Sequence, residues 1–264
     1  MKLHQSTVAR VSVRCAVALL SLAGAAAFAD DAQPSVTPYR PSVSTPAALS
    51  APGWLELEAG VQSDRGDASV RRDSLPYTLK LAFTPDWGIR LGGEAWVHAH
   101  DDAIGSVSGA GDTSVTLKRR FAVDETHAFG LEAGATFATG HAGITQEKTS
   151  YTVNGIYSAD IGDFHTDINL AATRLGLADP GTSRTQMLWA ASLSSTINDK
   201  WGWVGELSGT HQGGAGSQSQ VLGAASYNAS KTMTLDAGLS RALGGGERRW
   251  SVFAGMTVLM GRLF

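Results

Sequence analysis

The stretch Trp250-Ser251-Val252-Phe253-Ala254-Gly255-Met256-Thr257-Val258-Leu259-Met260-Gly261-Arg262-Leu263-Phe264 decides the fold. Trp250, Val252, Ala254, Met256, Val258 and Met260 repeat apolar character at period two. Arg262 interrupts the series and Phe264 resumes it at the terminus. The interleaved residues are mostly small or polar. Such a segment is a strand with one apolar face over most of its length. Arg262 lies two residues from the end, where a long side chain reaches water.

Working back along the chain, the same alternation recurs. Leu55, Leu57, Ala59 and Val61 alternate with Glu56, Glu58, Gly60 and Gln62; Tyr77, Leu79, Leu81 and Phe83 alternate with Thr78, Lys80 and Ala82. Met233, Leu235, Ala237 and Leu239 alternate with Thr234, Asp236, Gly238 and Ser240. No capped run with a 3.6-residue apolar period indicates a helix. Short polar breaks at 84–87, 123–126, 161–163, 197–200 and 228–231 alternate with longer polar or Gly-rich ones near 63–73, 99–110, 140–148, 176–184, 212–218 and 243–248. Twelve segments lie between them: 54–62, 74–83, 88–98, 111–121, 128–139, 149–160, 164–175, 184–197, 201–211, 218–228, 232–242 and 248–264.

Composition narrows the architecture. Charged residues make up 17% and hydrophobic ones 43%, which excludes a disordered chain. Cys15 is the single cysteine, so no disulfide scaffold exists. No stretch beyond residue 30 approaches the ~20 apolar residues of a spanning helix. A net charge of −3 speaks against nucleic acid as a partner. The segments run longer than the ~5–6 residues of soluble strands and match the ~9–11 of a tilted transmembrane strand. An even strand count, short turns on one side with longer loops on the other, and aromatic residues at segment ends complete the outer-membrane pattern. The expected fold is all-β, a 12-stranded antiparallel transmembrane β-barrel, in which closure leaves no unpaired edge in lipid.

Ahead of the barrel at 54–264 stand two other segments. Residues 1–29 read as a signal peptide: Lys2, Arg10 and Arg14 precede an apolar run, and Ala27-Phe28-Ala29 offers a cleavage site after Ala29. Cleavage leaves 235 residues with 18 basic and 24 acidic side chains, a formal charge of −6. Residues 30–53 hold five of the eight prolines and are expected to be extended and to add no strand. They lie in the periplasm or fold into the barrel mouth. In the second case Arg40 is expected to contact an inward acid such as Glu56 or Glu58. In either case both termini of the twelve-stranded barrel are expected on the periplasmic side.

Charges within the segments are expected to face the lumen, since each would cost up to ~2–4 kcal/mol on the lipid face near the midplane. The candidates to line a solute path are Glu58, Lys80, Glu94, Lys118, Arg120, Glu132, Asp167, Glu206, Asp236 and Arg249. A structural role, cross-linking a hydrated wall, is the alternative. The turn centred on Glu125 sets opposed residues to sum to 250. It therefore predicts Phe121 opposite Phe129 on the outside and Lys118 opposite Glu132 inside, a water-screened pair worth ~0.2–1 kcal/mol.

The junction Tyr39-Arg40-Pro41-Ser42-Val43-Ser44-Thr45-Pro46 with Pro52-Gly53-Trp54-Leu55-Glu56-Leu57-Glu58 resembles the opening of the outer-membrane transporters named for the MetA pathway of phenol degradation. Gly111-Asp112-Thr113 with Leu117-Lys118-Arg119-Arg120-Phe121 resembles their fourth strand. Tyr39 departs from the acidic residue often found before Arg-Pro. The resemblance implies passive uptake of small, often aromatic or hydrophobic, solutes across the outer membrane of a Gram-negative bacterium. Phe264 on an alternating strand resembles the signal read by the barrel-assembly machinery. A non-conducting barrel, serving as adhesin or scaffold, is the alternative function, followed by a barrel-embedded lipid hydrolase. Against an enzyme, no Gly-x-Ser-x-Gly occurs. His98-Ala99-His100-Asp101-Asp102 lacks the third cluster that zinc requires. The Gly-rich stretches 105–111 and 213–216 precede no helix that would cradle a phosphate. No cofactor or metal is therefore expected.

Overall fold

A computed structural model describes residues 33–66, 70–102, 105–244 and 249–264. The expected signal peptide and its cleavage site lie outside the described residues. Thirteen strands are present: β1 (Trp54–Arg65), β2 (Arg71–Ala82), β3 (Trp87–Asp101), β4 (Gly105–Gly109), β5 (Thr113–Ala122), β6 (His127–Phe137), β7 (Ser150–Ile161), β8 (Phe164–Arg174), β9 (Thr185–Thr196), β10 (Trp201–Gln212), β11 (Gly216–Ser230), β12 (Met233–Ala242) and β13 (Trp250–Arg262). Every strand pair is antiparallel. β1 pairs with both β2 and β13, so twelve strands close into a barrel, as the alternation predicts.

Two connections differ from expectation. The stretch 99–110, expected to be loop, contains β4, which pairs with the outer half of β3 from Val97 opposite Gly109 to Asp101 opposite Gly105. β3 is long enough, at 15 residues, to carry β4 and β5 in turn. The break at 212–218 is a hairpin of three residues, because Gly214 and Gly216 adopt φ of +84° and +91°.

The turns at the other end are built by side chains. Asp124 accepts from the Thr126 and His127 amides at 2.8 Å each, and Asn198 accepts from Lys200 and Trp201 at 3.0 Å. Both are Asx turns. Gly162 fits the two-residue turn between β7 and β8 with φ of +61°. Pro76, which lacks an amide donor, stands at the β2–β3 bulge.

The outer face is apolar. Val61, Val153, Leu170, Leu239 and Val252 are exposed, and aromatic pairs gather near the short turns. Phe129 lies 5.2 Å from Tyr157, Trp201 lies 4.9 Å from Tyr227, and Phe164 meets Trp203 edge-on. Phe121 stands opposite Phe129, both exposed, in the register predicted from the turn.

A twelve-stranded barrel is wider than the eight-stranded size whose side chains fill the interior. Here the chain ahead of β1 fills it. Val36 N–H donates to the Lys231 carbonyl in a short turn, and Gly53 N–H donates to Ala82. Between these points the segment touches β1, β2, β5, β6, β7, β8, β10 and β12. A segment in contact with walls on all sides of a closed barrel lies inside it. It enters at the short-turn end, runs about five residues deep along the wall strands, and returns to begin β1. Apart from an isolated bridge at Pro52, it adds nothing to the sheet.

Candidate functional site

The internal segment carries Pro34, Pro38, Pro41, Pro46 and Pro52, none of which can donate a backbone hydrogen bond. The remaining amides need acceptors once buried. The wall supplies them as side chains. Thr37 N–H donates to Glu56 Oε2 at 3.0 Å and Tyr39 N–H to Glu58 Oε1 at 2.6 Å. Val43 and Ser44 donate to the two carboxylate oxygens of Glu206 at 3.1 and 2.8 Å. Thr45 N–H donates to Asn169 Oδ1 at 3.1 Å, and Asn169 Nδ2 returns a bond to the Thr45 carbonyl at 2.9 Å. Ala47 N–H donates to Ser158 Oγ at 2.7 Å. The inward acids thus replace the ladder that the prolines forbid.

Tyr39 is the centre of the anchor. Its ring lies under Lys80 Nζ at 4.0 Å and Lys118 Nζ at 4.2 Å, with the Arg90 guanidinium at 5.5 Å. Its hydroxyl donates to the Ala48 carbonyl at 2.6 Å and accepts from Lys118 at 3.1 Å. The cations are balanced by acids: Lys80 meets both Glu56 and Glu58 at 2.5 Å, and Glu132 meets Lys118 at 3.4 Å and Arg90 at 2.9 Å. Lys118 also donates to the Pro46 carbonyl. Desolvated cations over an aromatic face contribute ~2 kcal/mol or more each.

Arg40 follows Tyr39 and points to another wall, as successive side chains of an extended chain do. The sequence expectation paired it with Glu56 or Glu58. It instead forms a two-pronged bond to Asp236, Nε to Oδ2 and Nη2 to Oδ1, each at 3.1 Å. The two glutamates are already taken by Lys80 and by the segment's own amides. Gly60 and Gly255 make room for the guanidinium: a Cβ on Gly60 would sit 2.8 Å from Arg40 Nη2, and one on Gly255 would come closer still. These two inward glycines seat the segment.

The ten sequence candidates fall into two groups. Glu58, Lys80, Lys118, Glu132, Glu206 and Asp236 are buried against the segment. Lys118 does stand opposite Glu132. The pair is dry, not water-screened as expected, because the segment covers it; Lys118 is 0% exposed. Glu94, Arg120, Asp167 and Arg249 stand elsewhere. Glu94 holds Arg72 through bonds of 2.7 and 2.5 Å. Asp167 accepts from Ser158 at 2.5 Å and lies 3.2 Å from His165 Nε2. Arg120 and Asp167 line a cavity of about 430 Å³ at the short-turn end. Arg249 lines two cavities on the long-loop side, of about 440 and 530 Å³. Arg40, Pro41 and Ser42 border both the 430 Å³ and the 530 Å³ cavities, so they form the partition between the two ends.

Sequence reasoning missed Tyr39, Arg90, Ser158 and Asn169 as parts of this site, and with them Asn154, whose Nδ2 donates to Glu132 Oε2 and Asn169 Oδ1 at 3.0 Å each. Arg90 was within reach: it shares a strand face with Gly88, Gly92 and Glu94 and alternates with Ile89 and Leu91. Asn169 and Ser158 are neutral, and neutral polar residues give no signal against a lipid face as strong as a charge does.

The polar interior, outward apolar wall and closed antiparallel sheet define the outer-membrane barrel class. The family described by the MetA pathway of phenol degradation matches residues 86–260. The chain belongs to that family. No curated protein matches it by sequence. Among solved structures, it is similar to an outer-membrane channel from Pseudomonas putida F1, with a TM-score of 0.63 at 14% identity, over 88% of this chain and 100% of that one. The NanC porin aligns with a TM-score of 0.58 at 10% identity, over 77% of this chain and 100% of the porin. The CymD monoaromatic hydrocarbon channel aligns with a TM-score of 0.51 at 7% identity, over 81% of this chain and 90% of that one.

Proposed function

We propose that the protein is an outer-membrane channel for passive entry of small solutes, held closed by its internal N-terminal segment. The observation that carries this is the partition at Arg40–Ser42, with a cavity of about 430 Å³ on one side and about 530 Å³ on the other. Cavities of ~300–1,000 Å³ accept molecules of drug size or smaller. Movement of the segment joins them. The family and the similar channels support the class, and the hydrocarbon channel among them supports aromatic solutes. The solute path is lined by Arg120 and Asp167 at one end and Arg72, Glu94 and Arg249 at the other, while the buried acids and lysines hold the segment.

The remaining assignments belong to the same reading. Residues 1–29 are the export signal, 30–53 the segment and 54–264 the barrel, with both ends of the mature chain in the periplasm and the strand ending in Phe264 offered to the barrel-assembly machinery. The protein works as a channel and not as an enzyme. Planar-bilayer recording with liposome swelling tests the proposal. Deletion of residues 34–50 raises conductance and swelling rates. A deletion variant that is folded and no more permeable than the intact protein rejects the segment as the closure. Absence of flux in both, with any solute, favours the non-conducting barrel.

A further inference from the structure

A row of basic residues crosses one quadrant of the outer rim. Arg71 on β2 stands opposite Arg65 on β1; Arg65 stands opposite Trp250 on β13; Trp250 stands opposite Arg241 on β12. His100 on β3 continues the row beyond Arg71. Directly opposed residues share a face. That face is the outer one: two residues further into β13 and β12 come Val252 and Leu239, exposed by 44% and 60%. Each row member lies within one residue of its strand's end, on the side of the longer loops.

Among the described residues, two of the arginines have no acidic partner. Arg65 binds Asp73 at 2.8 Å, and His100 binds Asp102 at 3.0 Å. Among the described residues, neither Arg71 nor Arg241 is paired with a carboxylate. They are three strand intervals apart, roughly 14 Å at about 4.8 Å per interval. Between them projects the half-exposed indole of Trp250. Elsewhere on the rim, among the described residues, the outward positions include Thr113, Phe137, Tyr151, Arg174, His211 and Ser217, with one arginine among them. Guanidinium groups bind phosphate in two-pronged fashion, and indoles favour the lipid–water boundary.

We propose that this quadrant binds one lipopolysaccharide molecule of the outer leaflet. Arg71 and Arg241 each take a phosphate of the bis-phosphorylated disaccharide headgroup, and Trp250 packs against the carbohydrate between them. The proposal rests on the outer-membrane reading, in which the longer loops face outward.

The test uses the full mature barrel in detergent, titrated with hexa-acylated lipid A and monitored by native mass spectrometry. Arg71→Ala with Arg241→Ala weakens lipid A binding at least tenfold, and Arg71→Lys with Arg241→Lys retains most of it. Lipid A lacking its phosphates binds the unaltered protein at least tenfold less well. Phosphatidylglycerol and inorganic phosphate do the same. Arg174→Ala, on the other wall, changes nothing. Folding of each variant is checked by heat-modifiable gel migration. A folded double-alanine variant that binds lipid A as tightly as the unaltered protein overturns the proposal, as does equal loss in Arg174→Ala. Conductance is measured in parallel. Phosphate-dependent binding in a barrel without flux upholds this site and fails only the channel reading; flux without phosphate-dependent binding does the reverse.

Discussion

Replacing Tyr39 with alanine should unclasp the internal segment. The ring is 6% exposed and sits between two lysines at 4.0 and 4.2 Å from its centroid. Its hydroxyl holds the Ala48 carbonyl at 2.6 Å, tying the descending limb of the segment to the returning one. Truncating a buried aromatic to alanine costs ~3–5 kcal/mol. Loss of the hydroxyl bond, about 1 kcal/mol, and of the ring's hold on the lysines is contained in that range. The barrel wall keeps every strand pair, so the cost falls on the docked segment alone. At ~1.4 kcal/mol per decade, the docked-to-released ratio falls by roughly two to four decades. Single-channel recording reads this directly: Tyr39→Ala spends more time at the conductance of the variant lacking residues 34–50. Heat-modifiable migration should be unchanged, showing an intact barrel. If the deletion conducts more than the intact protein and folded Tyr39→Ala does not, the clasp lies elsewhere and the reasoning fails.

Three further outcomes follow from the same geometry. Lys118→Met leaves Glu132 buried with Arg90 as its remaining cation, a loss of ~3 kcal/mol in unfolding experiments; the Lys118→Met, Glu132→Gln pair should cost less than the sum of the single changes, with a coupling of about 0.5–3 kcal/mol. Gly255→Ala intrudes on Arg40 and should raise open-channel time, as should Asp236→Asn; unchanged recordings of both would remove Arg40 from the closure. Asp112 is drawn below the usual carboxylate range: burial opposes this, but the Gln146 amide, the Thr145 hydroxyl and the Gly140 amide outweigh it. A lowered folded pKa means that the hold on the 139–147 loop is complete above the ordinary value of ~3.9 and is lost as pH falls through the folded value. Hydrogen exchange at Gly140 and Gln146 should accelerate over that window, and Asp112→Asn should remove the pH dependence.

Which parts of this were legible in the sequence follows from where the signal resides. Strand positions and register are local: the turn at Asp124–Thr126 fixes Lys118 against Glu132 and Phe121 against Phe129, and a slip of one residue would send both charges into lipid. The path of the internal segment is not local. Arg40 finds Asp236 across 196 positions, and Ser44 finds Glu206 across 162. No periodicity records such pairs, and the prolines said only that the segment joins no sheet. Hydration was therefore misjudged. Glu58, Lys80 and Lys118 are buried on the inner face, and the inside at that depth is packed chain. β4 escaped notice because Ser106, Val107 and Ser108 are too few, and too flanked by glycine, to show an alternation.

The segment's contacts also fix an order of events in biogenesis. Its partners lie on strands from β1 through β12, so its cradle does not exist until nearly the whole wall has been laid down. Yet it precedes β1 in the chain. Contacts this distant in sequence form late, since the intervening chain must first be organised. The part of the barrel chain that is made first must therefore wait longest to find its partners. The strand that follows the segment, β1, is also the one that pairs with β13 at the seam, so the strand that completes the cylinder begins where the segment ends.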